Sequence, residues 1–259
     1  MGSTWALFRA GLRHQTSYRF AMVSGLVTNT FFGLVRTAVF LAVYRTRDEV
    51  AGLDLADAIT YVWLLQAVFA VTWSPWLREL PTSIRSGEWT AELLRPGSVL
   101  GRHLAYDSGR TASLLIFRAP IPLAFAAVAF DLRLPTTPPG IAALALSLVL
   151  AAFAAVCLRF LLGSVAFWTA DFRGIHSLVF GPVYLLSGFV IPAEFFPGAL
   201  RMLSTIGPLA PLLRSPVAVA GGREILAAIA VQVVWIGLYL LACRSVLTRA
   251  TQRMVVFGG

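Results

Sequence analysis

The sequence contains no lysine: all 21 of its basic residues are arginine. A coding bias toward arginine and alanine accounts for the absence, but the chemical exclusion holds whatever the cause. A phosphate-binding loop of the nucleotidase kind needs a lysine after its glycines to hold the β- and γ-phosphates, and Schiff-base chemistry on retinal or pyridoxal needs one as well. Cysteine is almost as scarce. Cys157 and Cys243 both lie in apolar runs and form no CxxC pair, so a disulfide or metal framework has no support. The three histidines, His14, His103 and His176, have no metal-ligand spacing. Carboxylates are missing from the apolar stretches: Asp57, Asp131, Asp171, Glu194 and Glu224 fall at their ends or in loops, so a proton or sodium relay built on buried acids is poorly supplied. Catalytic patterns are equally thin. Gly163-Ser164 lacks the flanking glycine of a nucleophile elbow. His103 and Asp107, four residues apart on a predicted helix, suit a local ion pair, and no carboxylate cluster of a CDP-alcohol transferase is present.

What the chain does have is apolar length. Of 259 residues, 58% are hydrophobic and 13% charged, with a mean hydropathy of +0.78; a soluble domain carries roughly 25% charged residues. Hydropathy predicts six spans of the length a bilayer requires: Phe20–Tyr44, Ala58–Leu77, Thr111–Phe130, Ile141–Trp168, Ile175–Ile191 and Ile225–Leu247. The expected fold is an all-α integral membrane domain covering residues 1–259. Residues 1–19 have no clean signal-peptide core. They place Trp5, Phe8 and Leu12 on one side and Arg9 and Arg13 on another, the pattern of a helix lying in the membrane interface.

Arginine distribution sets the expected orientation. Twelve arginines (9, 13, 19, 78, 85, 95, 102, 110, 173, 244, 249 and 253) fall on the N-terminal side of the membrane and six (45, 47, 133, 201, 214 and 223) on the other. Both termini are therefore expected in the cytoplasm. A net charge of +9 in so apolar a chain points to the cytoplasmic leaflet or a protein partner, with no nucleic acid. Three further arginines, Arg36, Arg118 and Arg159, lie within spans. They are candidates for a substrate pathway that meets an anionic headgroup, or for snorkelling to the interface.

Two connections are more than turns. Residues 78–110 form a long cytoplasmic loop whose centre, Gly87 to Leu94, reads as a short helix with Glu88 and Glu92 stacked at i,i+4 and Pro96 as its stop. Residues 192–223 form an outer connection broken by prolines 192, 197, 208, 211 and 216 yet still apolar, as expected of a re-entrant segment packed against protein.

These features together resemble the ABC-2 type permeases. The stretch Ile84-Arg85-Ser86-Gly87-Glu88, then Leu93-Leu94-Arg95-Pro96, is similar to a six-span subgroup of about 260 residues, often encoded in pairs beside one ATPase. Ser187-Gly188-Phe189-Val190-Ile191-Pro192, then Phe196-Pro197 and Pro208, resembles the family pattern around the fifth span. The resemblance implies the permease subunit of an exporter in the bacterial cytoplasmic membrane, moving a hydrophobic or amphipathic cargo. It implies two ATPase subunits that carry ATP and Mg, a second permease, identical or related, and membrane lipid as surroundings. No cofactor is expected on this chain. The coupling helix is assigned by resemblance to Gly87–Leu94, with Arg85, Gly87, Glu88, Trp89, Glu92, Leu94 and Arg95 as the coupling residues and Pro192, Glu194, Phe196 and Pro197 marking the outer segment. An ion-coupled secondary transporter and a lipid-modifying membrane enzyme remain the alternatives.

Overall fold

The computed structural model describes residues 2–16, 19–72, 78–169, 185–222 and 224–257. Among the described residues the structure is mostly helical and includes one two-stranded hairpin. In order it forms α1 (Gly2–Thr16), α2 (Arg19–Val43), β1 (Glu49–Val50), β2 (Leu53–Asp54), α3 (Leu55–Thr72), α4 (Glu79–Arg85), α5 (Glu88–Leu93), α6 (Val99–Phe117), α7 (Pro120–Ala129), α8 (Pro138–Ser164), α9 (Gly198–Ile206), α10 (Arg214–Ala220) and α11 (Ile225–Phe257). Five stretches among the described residues are long and apolar enough to cross a membrane: Ser24–Val43, Leu55–Thr72, Val99–Ala129, Pro138–Phe167 and Ile225–Gln252. The expected fifth span, Ile175–Ile191, lies mostly outside the described residues.

Helix α3 is the axis of the bundle. Of its apolar window, 78% is buried, against 17% for those of α2 and α11, so α2 and α11 turn apolar faces outward, as lipid requires. With no hydrophobic gain from packing one apolar helix on another in lipid, close approach and hydrogen bonds hold the helices together. Asn29 and Gln66 exchange bonds between α2 and α3, each side-chain amide donating to the other's backbone carbonyl at 2.9 Å. Gly33 makes room on α2 for the Trp63 ring of α3, which an added Cβ would meet at 2.9 Å.

The N-terminal helix is packed by two glycines. A Cβ on Gly11 would collide with the carbonyl oxygen of Tyr106, and one on Gly109 with that of Phe8, so α1 and α6 cross backbone to backbone. Arg9 and Arg13 stay on the accessible side of α1.

The proline-broken segment 192–222 is held by donors from α11. Gln232 Nε2 donates to the Pro211 carbonyl at 3.0 Å and to the Ser147 carbonyl at 2.9 Å. Trp235 Nε1 donates to the Ile206 carbonyl at 2.8 Å, and the Tyr239 hydroxyl donates to the Pro208 carbonyl. Positions 232, 235 and 239 share one helix face, and they satisfy the carbonyls that broken helices leave open. From α3, Tyr61 Oη donates to the Gly188 carbonyl at 2.7 Å, where a φ of +81° requires glycine.

The β1–β2 hairpin turns through Ala51 and Gly52, both at positive φ, with Glu49 opposite Asp54. Asp54 caps α3 by accepting the Asp57 N–H at 2.9 Å and pairs with Arg133 at 2.7 Å. The Asp57 N–H, and then the Arg133 guanidinium, hold the Asp54 carboxyl below its ordinary value. A depressed carboxyl contributes stability in full above its unfolded value, about 3.9, and loses it as the pH falls through the lower folded value. The Asp54 carboxyl resonance of the protein in nanodiscs should accordingly titrate below that of a model aspartate, and Arg133→Gln should move it upward; a titration unaffected by Arg133→Gln would contradict the pairing. Separately, Gly109→Val should release α1, seen as several-fold faster tryptic cleavage at Arg9 and Arg13 with the helical content of the bundle unchanged.

Candidate functional site

At the bundle end opposite the β-hairpin, α4 and α5 form a compact helical hairpin. Gly87, at φ +80°, reverses the chain between them. Pro96 and Gly97 end the second helix, and the Ser98 hydroxyl caps α6 by accepting the Gly101 N–H at 3.1 Å. Arg102, one turn into α6, closes the structure. Its guanidinium donates to the carbonyls of Glu92 (2.5 Å), Pro96 (2.9 Å), Gly97 (3.2 Å) and Arg95 (3.3 Å), a cationic cap on the carbonyl end of α5. Glu92 pairs with Arg95 at 2.9 Å and with Arg102 at 3.6 Å, so its charge is spent within the hairpin.

The hairpin has an inner and an outer face. Trp89 is 3% exposed, with its ring 5.9 Å from Phe167, 6.0 Å from His103 and 6.4 Å from Phe160. It pins α5 to α6 and α8. Leu80 of α4 lies against Gly163 of α8, where a Cβ would meet it at 3.0 Å. The outer face presents Arg85, Glu88 and Arg95, all exposed, together with Leu94 at 84% exposure.

Beneath the hairpin lies a buried ionic network. Asp107 of α6 accepts from Arg159 Nε of α8 at 3.0 Å and from Arg110 Nη2 at 3.3 Å. Arg159 donates further to the Thr72 carbonyl at the end of α3 (2.9 Å) and to Thr111 Oγ1 (2.5 Å), which itself donates to the Asp107 carbonyl at 2.8 Å. Arg110 Nη1 reaches Glu79, the first residue of α4, at 2.6 Å. Asp107, Arg110 and Arg159 are 2%, 3% and 8% exposed. The network gathers α3, α4, α6 and α8 at one point, with two carboxylates balancing two guanidinium groups.

Two expectations change here. Arg159 neither faces a cavity nor snorkels: its guanidinium is consumed by Asp107, Thr72 and Thr111. The span interior is not free of carboxylates, because the third apolar stretch starts at Val99 rather than near residue 111 and carries Asp107 inside it. The charged partners that take the Asp107 oxygens are the two arginines, while the His103 ring packs edge-on against Phe160 at 5.2 Å. The signal for the network was weak, since Asp107 and Arg159 stand 52 residues apart.

The remaining candidates are dispersed. Arg36 lies 3.7 Å over the Phe189 ring. Arg118 sits at the junction of α6 and α7 against Gly25 of α2. At the β-hairpin end, Pro192 is buried and opens the short turn Ala193–Phe195, Phe196 ends that turn, and Pro197 starts α9. Glu194 pairs with Arg214 of α10 at 3.5 Å, and both line a cavity of about 70 Å³ with Asp57, Tyr61 and Arg133. No group of His, Cys, Asp and Glu among the described residues could hold a metal ion.

The family profile described as ABC-2 family transporter protein matches residues 31–258, a range that takes in the helical hairpin, the network beneath it and the α11 scaffold. The chain belongs to the ABC-2 transporter family. No curated protein and no solved structure matches it. As an ABC-2 permease it is a multi-pass membrane protein and the transport subunit of its system. The described helices form an apolar bundle with a charged hairpin at one end.

Asp107→Asn leaves two buried guanidinium groups short of a counter-charge, a loss of about 3–5 kcal/mol. Thermal melting of the permease in detergent should fall accordingly, and the Asp107→Asn/Arg159→Gln double variant should cost less than the two single variants together. Strict additivity would contradict the pairing.

Proposed function

We propose that this ABC-2 permease is the transmembrane subunit of an ATP-driven exporter of a hydrophobic or amphipathic cargo. A separate ATPase, present in two copies and carrying ATP and Mg, docks on the α4–α5 hairpin. A second permease, identical or related, completes the pathway. In this reading the hairpin faces the cytoplasm of a bacterial cell, both termini lie on the same side, and the proline-broken segment 192–222 is a re-entrant outer hairpin. Family membership supports the transport role, and the lysine-free chain, which can complete no phosphate loop, supports an external motor.

The observation that carries the coupling assignment is the two-faced hairpin over the ionic network. The outer face offers a charged and apolar surface: Arg85, Glu88, Arg95 and the protruding Leu94. The inner face is fixed twice, by Trp89 on α8 and by Glu79 through Arg110 and Asp107 to Arg159. A push on α5 is therefore delivered to α6 and α8 instead of being absorbed by a loose loop. Among the assigned coupling residues, Glu88, Leu94, Arg85 and Arg95 are contacts, Gly87 forms the bend, Trp89 is the pivot, and Glu92 holds the hairpin closed.

An ion-coupled transporter would need a membrane carboxylate free to take up and release its ion. Asp107 is the buried carboxylate among the described residues, and both of its oxygens are held by guanidinium groups. That arrangement favours the ATP-driven reading.

Charge reversal at Glu88, alone or with Leu94→Asp, should abolish co-purification of the ATPase or uncouple hydrolysis from export, with the melting temperature of the permease unchanged. Glu92→Lys should also lower that temperature, because it opens the hairpin. Full assembly and coupled export in the Glu88→Lys/Leu94→Asp variant would overturn the docking assignment.

A further inference from the structure

We infer that Arg118, at the break between α6 and α7, binds the phosphate or carboxylate of an anionic amphiphile that reaches it from the membrane. Arg118 lies 19 residues from Val99 and 11 from Ala129 within one apolar stretch, about 28 Å and 17 Å along a helix axis. A guanidinium at that depth is costly unless it is neutralised, and arginine stays charged because it cannot lose its proton in a protein.

The two span arginines of this half of the molecule have opposite fates. Arg159 is saturated by Asp107, Thr72 and Thr111. Arg118 has no carboxylate partner among the described residues, and its Nε is buried without a hydrogen-bond acceptor. Its guanidinium lies directly against Gly25, where an added Cβ would collide with Nη2. The missing side chain on α2 is what gives the charge its place.

The backbone is broken at the same point. Pro120 has no N–H to give the Ile116 carbonyl, and the Leu114 carbonyl instead accepts from both Arg118 N (2.9 Å) and Ala119 N (3.0 Å). The second of these is a five-residue bond, the kind of local π-type irregularity that concentrates at functional sites. Around the break the surface is apolar and open: Ile116 is 55% exposed, Phe117 48%, Ile121 44% and Phe125 41%. A fork of donors beside an apolar, lipid-accessible wall suits a headgroup with two oxygens whose chains run along α7.

The inference names a headgroup class for the cargo of the proposed exporter. It rests on that reading for transport but not for binding, so binding is measured without an ATPase. The full-length permease in nanodiscs of equal phosphatidylglycerol and phosphatidylcholine is released into native mass spectrometry, and the retained lipids are counted. Wild type should prefer phosphatidylglycerol roughly tenfold, the equivalent of one charge-assisted hydrogen bond. Arg118→Gln should lose that preference, and Arg133→Gln at the exposed end should keep it. Gly25→Leu, which retains the arginine but displaces its guanidinium, should lose it too and covers the case in which Arg118→Gln fails to fold. Inorganic phosphate should not displace the retained lipid; displacement would reassign the site to a free anion and overturn the amphiphile. Absence of a preference in wild type, or a preference undiminished in folded Arg118→Gln or Gly25→Leu, would overturn the site. Loss of ATP-driven export without loss of lipid retention would count against the export reading alone.

Discussion

One carboxylate between two guanidinium groups organises this membrane domain. Asp107 is almost wholly buried, and in surroundings of low dielectric its charge is tolerable only with partners at hydrogen-bond distance. Arg159 and Arg110 supply them, and each reaches onward to a different element: Arg159 to the end of α3, Arg110 to the start of α4. Neither arginine can leave without stranding the other charges. The junction therefore ties α4, the first helix of the hairpin, to α3, α6 and α8.

The opposite end of the bundle is built differently. Of its ion pairs, Arg133 with Asp54 and Asp57 is exposed and Arg214 with Glu194 is partly buried, whereas Asp107, Arg110 and Arg159 are almost wholly buried. Exposed pairs are screened by water and salt and contribute little each. The backbone there is broken by proline and held by hydrogen bonds from Gln232, Trp235 and Tyr239 to the carbonyls of Pro211, Ile206 and Pro208. The two ends thus differ in what holds them, a buried ionic network at one and hydrogen bonds from α11 to backbone carbonyls at the other.

Much of this was legible from the chain and some was not, for physical reasons. Long apolar runs announced α2 and α8 within a few residues, and the starts of α3 and α11, because a bilayer imposes length and composition on any span; α11 runs on to Phe257, ten residues past the expected Leu247. The α5 helix was legible in Gly87, Pro96 and the acid spacing between them, whereas α4 was read as part of the loop. The extent of the third apolar stretch was not legible: Arg102, His103, Asp107 and Arg110 put its expected start at Thr111, after a cytoplasmic loop, and pairing of Asp107 with Arg159 and Arg110 is what buries that charge. The crossing of α1 and α6 was missed as well, since two glycines far apart in the chain carry no mark that they meet. By contrast, Gln232, Trp235 and Tyr239 carried a readable signal. Three hydrogen-bond donors on one face of an otherwise apolar helix must find acceptors, and a proline-broken neighbour is where free carbonyls are concentrated.

The absence of lysine gives the intramembrane charges a common character. A lysine in lipid can shed its proton and become neutral, whereas an arginine holds its charge and its planar fork. Every cation in these spans is therefore permanent and has to be answered by structure. Arg159 is answered by a carboxylate, a hydroxyl and a backbone carbonyl, and Arg36 meets the face of Phe189. Arg118 lies on a glycine at a helix break with an apolar surface beside it and no described acid near enough to pair. The same residue type thus serves as internal fastener in one span and stands without a carboxylate partner among the described residues in another. What separates the two is whether the neighbouring helix offers a carboxylate, as α6 does to Arg159, or a glycine, as α2 does to Arg118.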